Sequence, residues 1–205
     1  MAHNRNFALA NREHFLKNNV FTINLVSSPG SGKTTLLVKT IASLKHHFSM
    51  AVIEGDQQTT LDKETIAAEG VPVAQINTGK GCHLDAHMVS HAVSDLALKN
   101  NSLLLIENVG NLVCPALFDL GEKHKVVILS VTEGDNKPLK YPFMFEASDL
   151  MIINKMDLLP YVNFNIDHCI QHAREVNPNI ETLLVSATQN NGMQQWYSWL
   201  QKNMR

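Results

Sequence analysis

Four stretches of this chain carry residue types whose spacing can do chemistry. SSPGSGKTT, Ser27 to Thr35, ends as the phosphate-loop pattern G-x-x-x-x-G-K-[ST] does, although Ser27 stands where the pattern has its first glycine. Gly30 and Gly32 let backbone N–H groups, that of Ser31 included, crowd around phosphate oxygens at the positive end of the next helix. Lys33 is placed to reach the β- and γ-phosphates, Thr34 to ligate Mg²⁺ and Thr35 to donate to the α-phosphate. The plainer reading, a Gly/Ser turn opening a helix, is set aside by the flanking strand and the GKTT ending.

The second stretch is Asn154-Lys155-Met156-Asp157, which follows an apolar run directly. NKxD at a strand end selects guanine: the Asp157 carboxylate accepts from N1–H and the exocyclic amine, a donor pair adenine lacks. Lys155 would lie along the base plane. Ser186-Ala187-Thr188, after the last apolar run, falls where a backbone contact to guanine O6 is expected, although Ser-Ala-Thr is also a plain turn sequence. The third element is a pair of acidic residues at strand ends, Asp56 in IEGDQQTT and Glu107 in IENVG. Either could hold Mg²⁺ or orient an attacking water, with Gly110 sensing the γ-phosphate. Their bland role is to cap helices or turns. No arginine finger is evident, so slow intrinsic turnover is expected.

The fourth is NTGKGCHLDAHMVSH, Asn77 to His91, with Cys114 further on in ENVGNLVCP. Thiolate and imidazole are ligands for Zn²⁺ and Ni²⁺. Cys82, His83 and Cys114 form a candidate set with one position open to water, a partner chain or a further histidine. Their spacing matches no compact zinc finger; the placement of Cys114 just past Gly110 is the stronger signal. On a helix starting near Leu84, His83, His87 and His91 would line one edge of the apolar face. His87 could then converge on the same metal, whereas His91, nearest the apolar stripe, reads as a packing residue. Cys169 in HCIQH reads as a small buried hydrophobe, and no pattern recruits His168 or His172.

The rest of the chain must position these groups. Its 205 residues are 44% hydrophobic and 18% charged, with net charge −2, which suits an ordinary globular domain and lacks the basic footprint of nucleic-acid binding. No apolar stretch could span a bilayer, no signal-peptide pattern opens the chain, and the three cysteines make no secreted disulfide framework. A cytoplasmic location is expected. Strands are expected at 20–26, 50–54, 71–76, 102–107, 125–131, 149–154 and 181–186, and helices at 33–47, 60–69, 84–99, 165–176 and 191–204. Their alternation predicts an α/β fold of the P-loop NTPase kind, a mostly parallel sheet of about seven strands flanked by helices. Residues 1–19 would be a short, helical N-terminal extension and 20–205 a single domain. The stretch 108–124 reads as loop-rich, and Pro138 and Pro142 are expected to interrupt 132–148. In the last helix Met193, Trp196 and Leu200 read as core.

From about residue 20 onward the chain resembles the HypB-type hydrogenase/urease maturation GTPases of the SIMIBI class. The matching stretches are LVSSPGSGKTTLL, VIEGDQQTTLD, NTGKGCHLDA, ENVGNLVCP with FDLGE, VTEGDNKPLKYP, NKMDLLPY and SAT. The resemblance accounts for Ser27, which that family tolerates. It implies a GTPase cycling between GTP and GDP with Mg²⁺, dimerising when GTP-bound, and delivering nickel to [NiFe]-hydrogenase. It also implies that Cys82, His83 and Cys114 bind nickel or zinc near the subunit interface, with His87 a possible extra ligand. A HypA-type metallochaperone and the hydrogenase large-subunit maturation machinery are the implied partners, with no nucleic acid and no membrane. Many members carry an N-terminal CxxCGC motif or a histidine-rich tract; this sequence shows neither in the 20 or so residues before the first strand, so tight nickel storage there is not expected. The alternatives are a urease-type nickel accessory GTPase and a zinc- or nickel-buffering protein with a vestigial nucleotide site.

Overall fold

A computed structural model describes residues 2–57, 61–96 and 98–204. The expected helix start at Thr60 and the Gln58–Thr60 part of VIEGDQQTTLD lie outside them. Seven strands, β1 Val20–Ser27, β2 Ser49–Asp56, β3 Val73–Asn77, β4 Ser102–Glu107, β5 His124–Ser130, β6 Leu150–Asn154 and β7 Glu181–Leu184, form one sheet in the order β3-β2-β4-β1-β5-β6-β7. Every pairing is parallel. Helices α1 Ala2–Lys17, α2 Lys33–Leu44, α3 Leu61–Ala67, α4 Ala86–Asp95, α5 Lys137–Lys140, α6 Pro142–Glu146, α7 Ile166–Val176 and α8 Met193–Asn203 flank it. No helix among the described residues is long and apolar enough to cross a membrane.

The central strands are buried on both faces, which is why they read as continuous apolar runs rather than as alternation. One face packs α2 and α8 on β1, β4 and β5, with Ile23, Leu36, Ile41, Leu105, Ile128, Met193, Trp196 and Leu200 all buried. Each such aliphatic side chain contributes roughly 1.5–3 kcal/mol by leaving water. Trp196 Nε1 donates to Thr40 Oγ1 at 2.8 Å, tying α8 to the helix that follows the phosphate loop. On the other face Val127, Met144, Phe145, Ile153 and Cys169 form a second cluster, and Phe15, Ile53, Leu84, Val89 and Leu104 a third.

Two local expectations change. Helix α4 starts at Ala86 rather than Leu84, because Asp85 takes extended backbone and its carboxylate accepts from Met88 N. Pro138 and Pro142 open α5 and α6 instead of interrupting the segment; in a first turn the missing N–H costs nothing. The 108–124 stretch is loop-rich as expected, with one 3-10 turn, Cys114–Leu117. Helix α1 buttresses the entry to α4: Asn4 Oδ1 accepts from Ala86 N, and the buried Asn11 amide donates to Ala86 O and Leu120 O.

Candidate functional site

The chain leaves β1 and returns as β4 on one side and β5 on the other. The strand order reverses there, and the carboxyl ends open on a crevice, where open α/β sheets bind ligands. A cavity of about 590 Å³ lies in it, lined by Ser27–Thr35, Glu54–Gln57, Asp62, Val109, Gly110 and Lys155. Its volume suits a small ligand. The expected phosphate-loop residues, Asp56 and Gly110 are thus brought together.

The loop is held from three directions. Asn154, last residue of β6, donates from Nδ2 to Ser31 O at 2.9 Å and accepts at Oδ1 from Ala187 N at 3.2 Å. Lys155 donates to Gly30 O at 2.6 Å. Glu133, beyond β5, accepts from Ser31 Oγ and Ser130 N. Gly32 has φ +87°, and a Cβ there would stand 2.5 Å from Asn154 Nδ2, so glycine is required twice over. The Ser186 hydroxyl donates to Asp157, joining the NKxD and Ser-Ala-Thr segments in one mouth.

Beneath the loop lies a carboxylate layer. Glu107 accepts from Lys33 Nζ at 2.7 Å and Thr34 Oγ1 at 2.6 Å through the same oxygen. Glu54 faces it in register on β2, and both are 1% exposed. The second oxygen of each has no hydrogen-bond partner among the described residues. Burial, then the charges of Glu107 and Asp56, push Glu54 up to about 7, and burial followed by Glu107 raises Asp62. Such a layer suits a divalent cation beside phosphates. Glu54, Asp62 and Glu133 were not singled out from the sequence: Glu54 sits inside an apolar strand, and nothing local marks it.

The raised Glu54 has a signed consequence. Between pH about 4.5 and 7 the folded state keeps a proton that the unfolded chain has released, so stability falls as pH rises through that window and levels off above it. In EDTA without nucleotide, Glu54→Gln is expected to flatten this slope and raise the thermal midpoint at pH 7.5 by roughly 5 °C. An unchanged slope would show that Glu54 titrates normally.

The soft-ligand centre lies beyond the carboxyl ends of β3 and β4. Cys82 Sγ is 2.6 Å from Cys114 Sγ and 3.6 Å from His83 Nδ1. Among the described residues these three form the group whose ligand atoms all lie within 4.8 Å of one another. Two thiols and an imidazole so close fit a borderline-soft divalent ion such as Ni²⁺ or Zn²⁺. The adjacent Cys114 thiol, then burial, raise the Cys82 pKa, whereas burial lowers that of His83 and so favours the neutral ring, which has a lone pair to give. The His83 ring stacks on Phe118 at 3.9 Å, and the buried Leu84 anchors the segment.

His87 does not join this group. Because α4 begins after Asp85, His83 belongs to the loop and shares no helical edge with His87 and His91. His87 instead packs its ring on Phe7 at 4.6 Å, with Nε2 3.0 Å from His91 Nε2. His91 is exposed, so the packing role expected for it is also corrected. Cys169 is buried as expected, its thiol pushed up to about 12 by burial.

A family model described as the CobW/HypB/UreG nucleotide-binding domain matches residues 21–183. The hydrogenase maturation factor HypB of Rhizobium leguminosarum bv. viciae is 61% identical over 201 residues, covering 98% of this chain and 67% of its own length. The chain therefore spans about two thirds of that relative. The crystal structure of HypB from Helicobacter pylori in complex with nickel superposes with a TM-score of 0.94 at 39% identity, over 99% of this chain and 95% of that one. HypB from Archaeoglobus fulgidus gives 0.93 at 36% identity, covering all of both chains. With phosphate loop, NKxD mouth and thiol–imidazole cluster in one parallel sheet, and similarity running nearly end to end, the chain belongs to the HypB hydrogenase maturation factors of the CobW/HypB/UreG nucleotide-binding family.

Proposed function

We propose that this protein is a Mg²⁺-dependent GTP hydrolase that serves as a nickel switch in [NiFe]-hydrogenase maturation, taking nickel, or zinc in its place, at Cys82, His83 and Cys114. The observation that supports this most is one short stretch of chain. Glu107, which holds Lys33 and Thr34, is followed by Gly110 at the phosphate cleft and then by Cys114. Loss of the γ-phosphate would move the segment that carries a metal ligand.

Hydrolysis is an in-line attack of water on the γ-phosphate. Lys33 and the backbone N–H groups of Gly30 to Thr35 stabilise the charge that develops there. Thr34 and the nearby carboxylates would hold Mg²⁺, which would supply charge neutralisation at the phosphates. Asp56 or Glu107 positions the water or the ion. Lys155 covers the base, Asp157 selects guanine, and Ser186 and Ala187 close its far side. GTP-driven pairing of two copies, exchange with a HypA-type metallochaperone and work in the cytoplasm on the hydrogenase large subunit complete the reading.

The test is a turnover assay with GTP and Mg²⁺, alongside nickel titrations in GDP and in a non-hydrolysable GTP analogue. Slow GTP hydrolysis, little competition from ATP and different nickel affinities in the two nucleotide states are expected. Asp157→Asn keeps one acceptor oxygen and loses the other, so it should weaken GTP binding about 10- to 100-fold, a hydrogen bond to a charged acceptor contributing about 1.5–3 kcal/mol. Equal competition by ATP, or identical nickel affinities, would overturn the base selection and the switch respectively.

A further inference from the structure

We propose that Asn108 and Asn111 are positioning residues that transmit the nucleotide state to the metal ligands, by clasping the Cys82–Leu84 segment from both sides. This rests on the switch reading given above and names the contacts through which it works. A ligand on the moving segment accounts for Cys114 alone. Cys82 and His83 follow a different strand, β3, and a rigid change at Cys114 would merely pull one thiol away from them.

The contacts form a continuous path. At its nucleotide end, Glu107 is bound by Lys33 and Thr34, and Gly110 lies so close to the phosphate loop that an added Cβ would stand 3.1 Å from Pro29 Cα. Any rearrangement of Lys33 or of Pro29 around phosphates therefore bears on residues 107–111. At its metal end, Asn111 Nδ2 donates to Cys82 O at 3.2 Å, and its Oδ1 accepts from Val113 N at 2.8 Å. One side chain thus holds the backbone of Cys82 and the residue before Cys114 at once. On the other side of His83, Leu84 N donates to Asn108 Oδ1 at 3.2 Å. Asn108 is fully buried and is fixed from behind, where its Nδ2 donates to Asn24 Oδ1 and Asn24 in turn donates to the buried Glu122. An amide serves where an aliphatic residue would not, because it donates and accepts at once: Asn111 to Cys82 O and from Val113 N, Asn108 to Asn24 Oδ1 and from Leu84 N.

The experiment measures nickel affinity by titration, following thiolate-to-nickel charge-transfer absorption, with Mg·GDP and with Mg and a non-hydrolysable GTP analogue. It compares the wild type with Asn111→Ala, Asn111→Asp and Asn108→Ala. Asn111 is only half-buried, so its variants fold even where Asn108→Ala does not. Asn111→Asp keeps the acceptor for Val113 N, removes the donor to Cys82 O and sets a charged oxygen against that carbonyl, whereas Asn111→Ala removes both bonds without adding charge. The wild type is expected to show a ratio of about fivefold or more between the two states, the lower end of ordinary site-to-site coupling. In the Asn111 variants that ratio is expected to fall below about twofold while GTP hydrolysis persists. A variant that weakens nickel equally in both states and keeps the ratio merely supports the ligand loop, and would overturn this proposal alone. A wild-type ratio of one would overturn the switch reading, and the proposal with it.

Discussion

Replacing Lys33 with alanine is expected to abolish nucleotide binding at concentrations that saturate the wild type and, separately, to destabilise the nucleotide-free protein. The first effect follows from the proposed contacts to the β- and γ-phosphates. Two charge-assisted hydrogen bonds contribute about 3–6 kcal/mol together, or roughly two to four orders of magnitude in affinity. The second follows from the state of Lys33 when no phosphate is present. Its ammonium lies 2.7 Å from Glu107, whose side chain is 1% exposed. Removing one partner of a buried pair leaves an uncompensated charge, at a cost of about 3–5 kcal/mol. The Thr34 hydroxyl still donates to the same oxygen, so the lower end applies, and a midpoint fall of roughly 10 °C is expected.

The double variant Lys33→Ala, Glu107→Gln separates the two effects. A neutral amide at 107 has no charge to strand, so most of the lost midpoint should return while nucleotide binding stays absent. Calorimetry on the two variants and the wild type decides the matter. If the single variant melts with the wild type, the pair does not stabilise the empty loop.

How much of this was legible in the sequence depends on the range of the interaction concerned. The strands could be read because a sheet covered on both faces leaves apolar runs, and the phosphate loop because its glycines, lysine and threonines are contiguous. The carboxylate layer could not be read. Glu54 meets Glu107 only because β4 inserts between β2 and β1, a register between strands distant in the chain. Cys114 meets Cys82 by the same crossover, so their separation in sequence carried little signal and position after Gly110 carried more. The histidines show the opposite failure. Their even spacing suggested one helical edge, but a single capping carboxylate, Asp85, starts the helix late and leaves His83 alone in the loop. Pro138 and Pro142 illustrate the same point, since a proline's meaning depends on whether it falls within a helix or at its first turn.

The second large effect concerns the thiols: Cys114→Ala and Cys82→Ala are each expected to weaken nickel binding by about 100-fold or more. Loss of an outer-shell partner of a metal ligand already costs about 10–100-fold, and each variant removes a direct ligand from a set of three. A thiolate contributes more than an imidazole to a soft-ligand site, so both should exceed the effect of His83→Ala. The proton balance gives an independent check. Cys82 holds its proton more firmly than a free thiol, chiefly because of Cys114 beside it, and a metal must displace that proton to bind. Affinity should therefore rise as pH is raised from 6 to 8, and less steeply in Cys82→Ala. His83, whose pKa burial lowers, adds less to that slope than a free imidazole would. Cys169→Ala is the control: its thiol is fully buried in the cluster beneath α7, so nickel binding should not change. If Cys114→Ala bound nickel within about threefold of the wild type, the close approach of the two sulfurs would be a packing contact, and the metal would have to be held elsewhere.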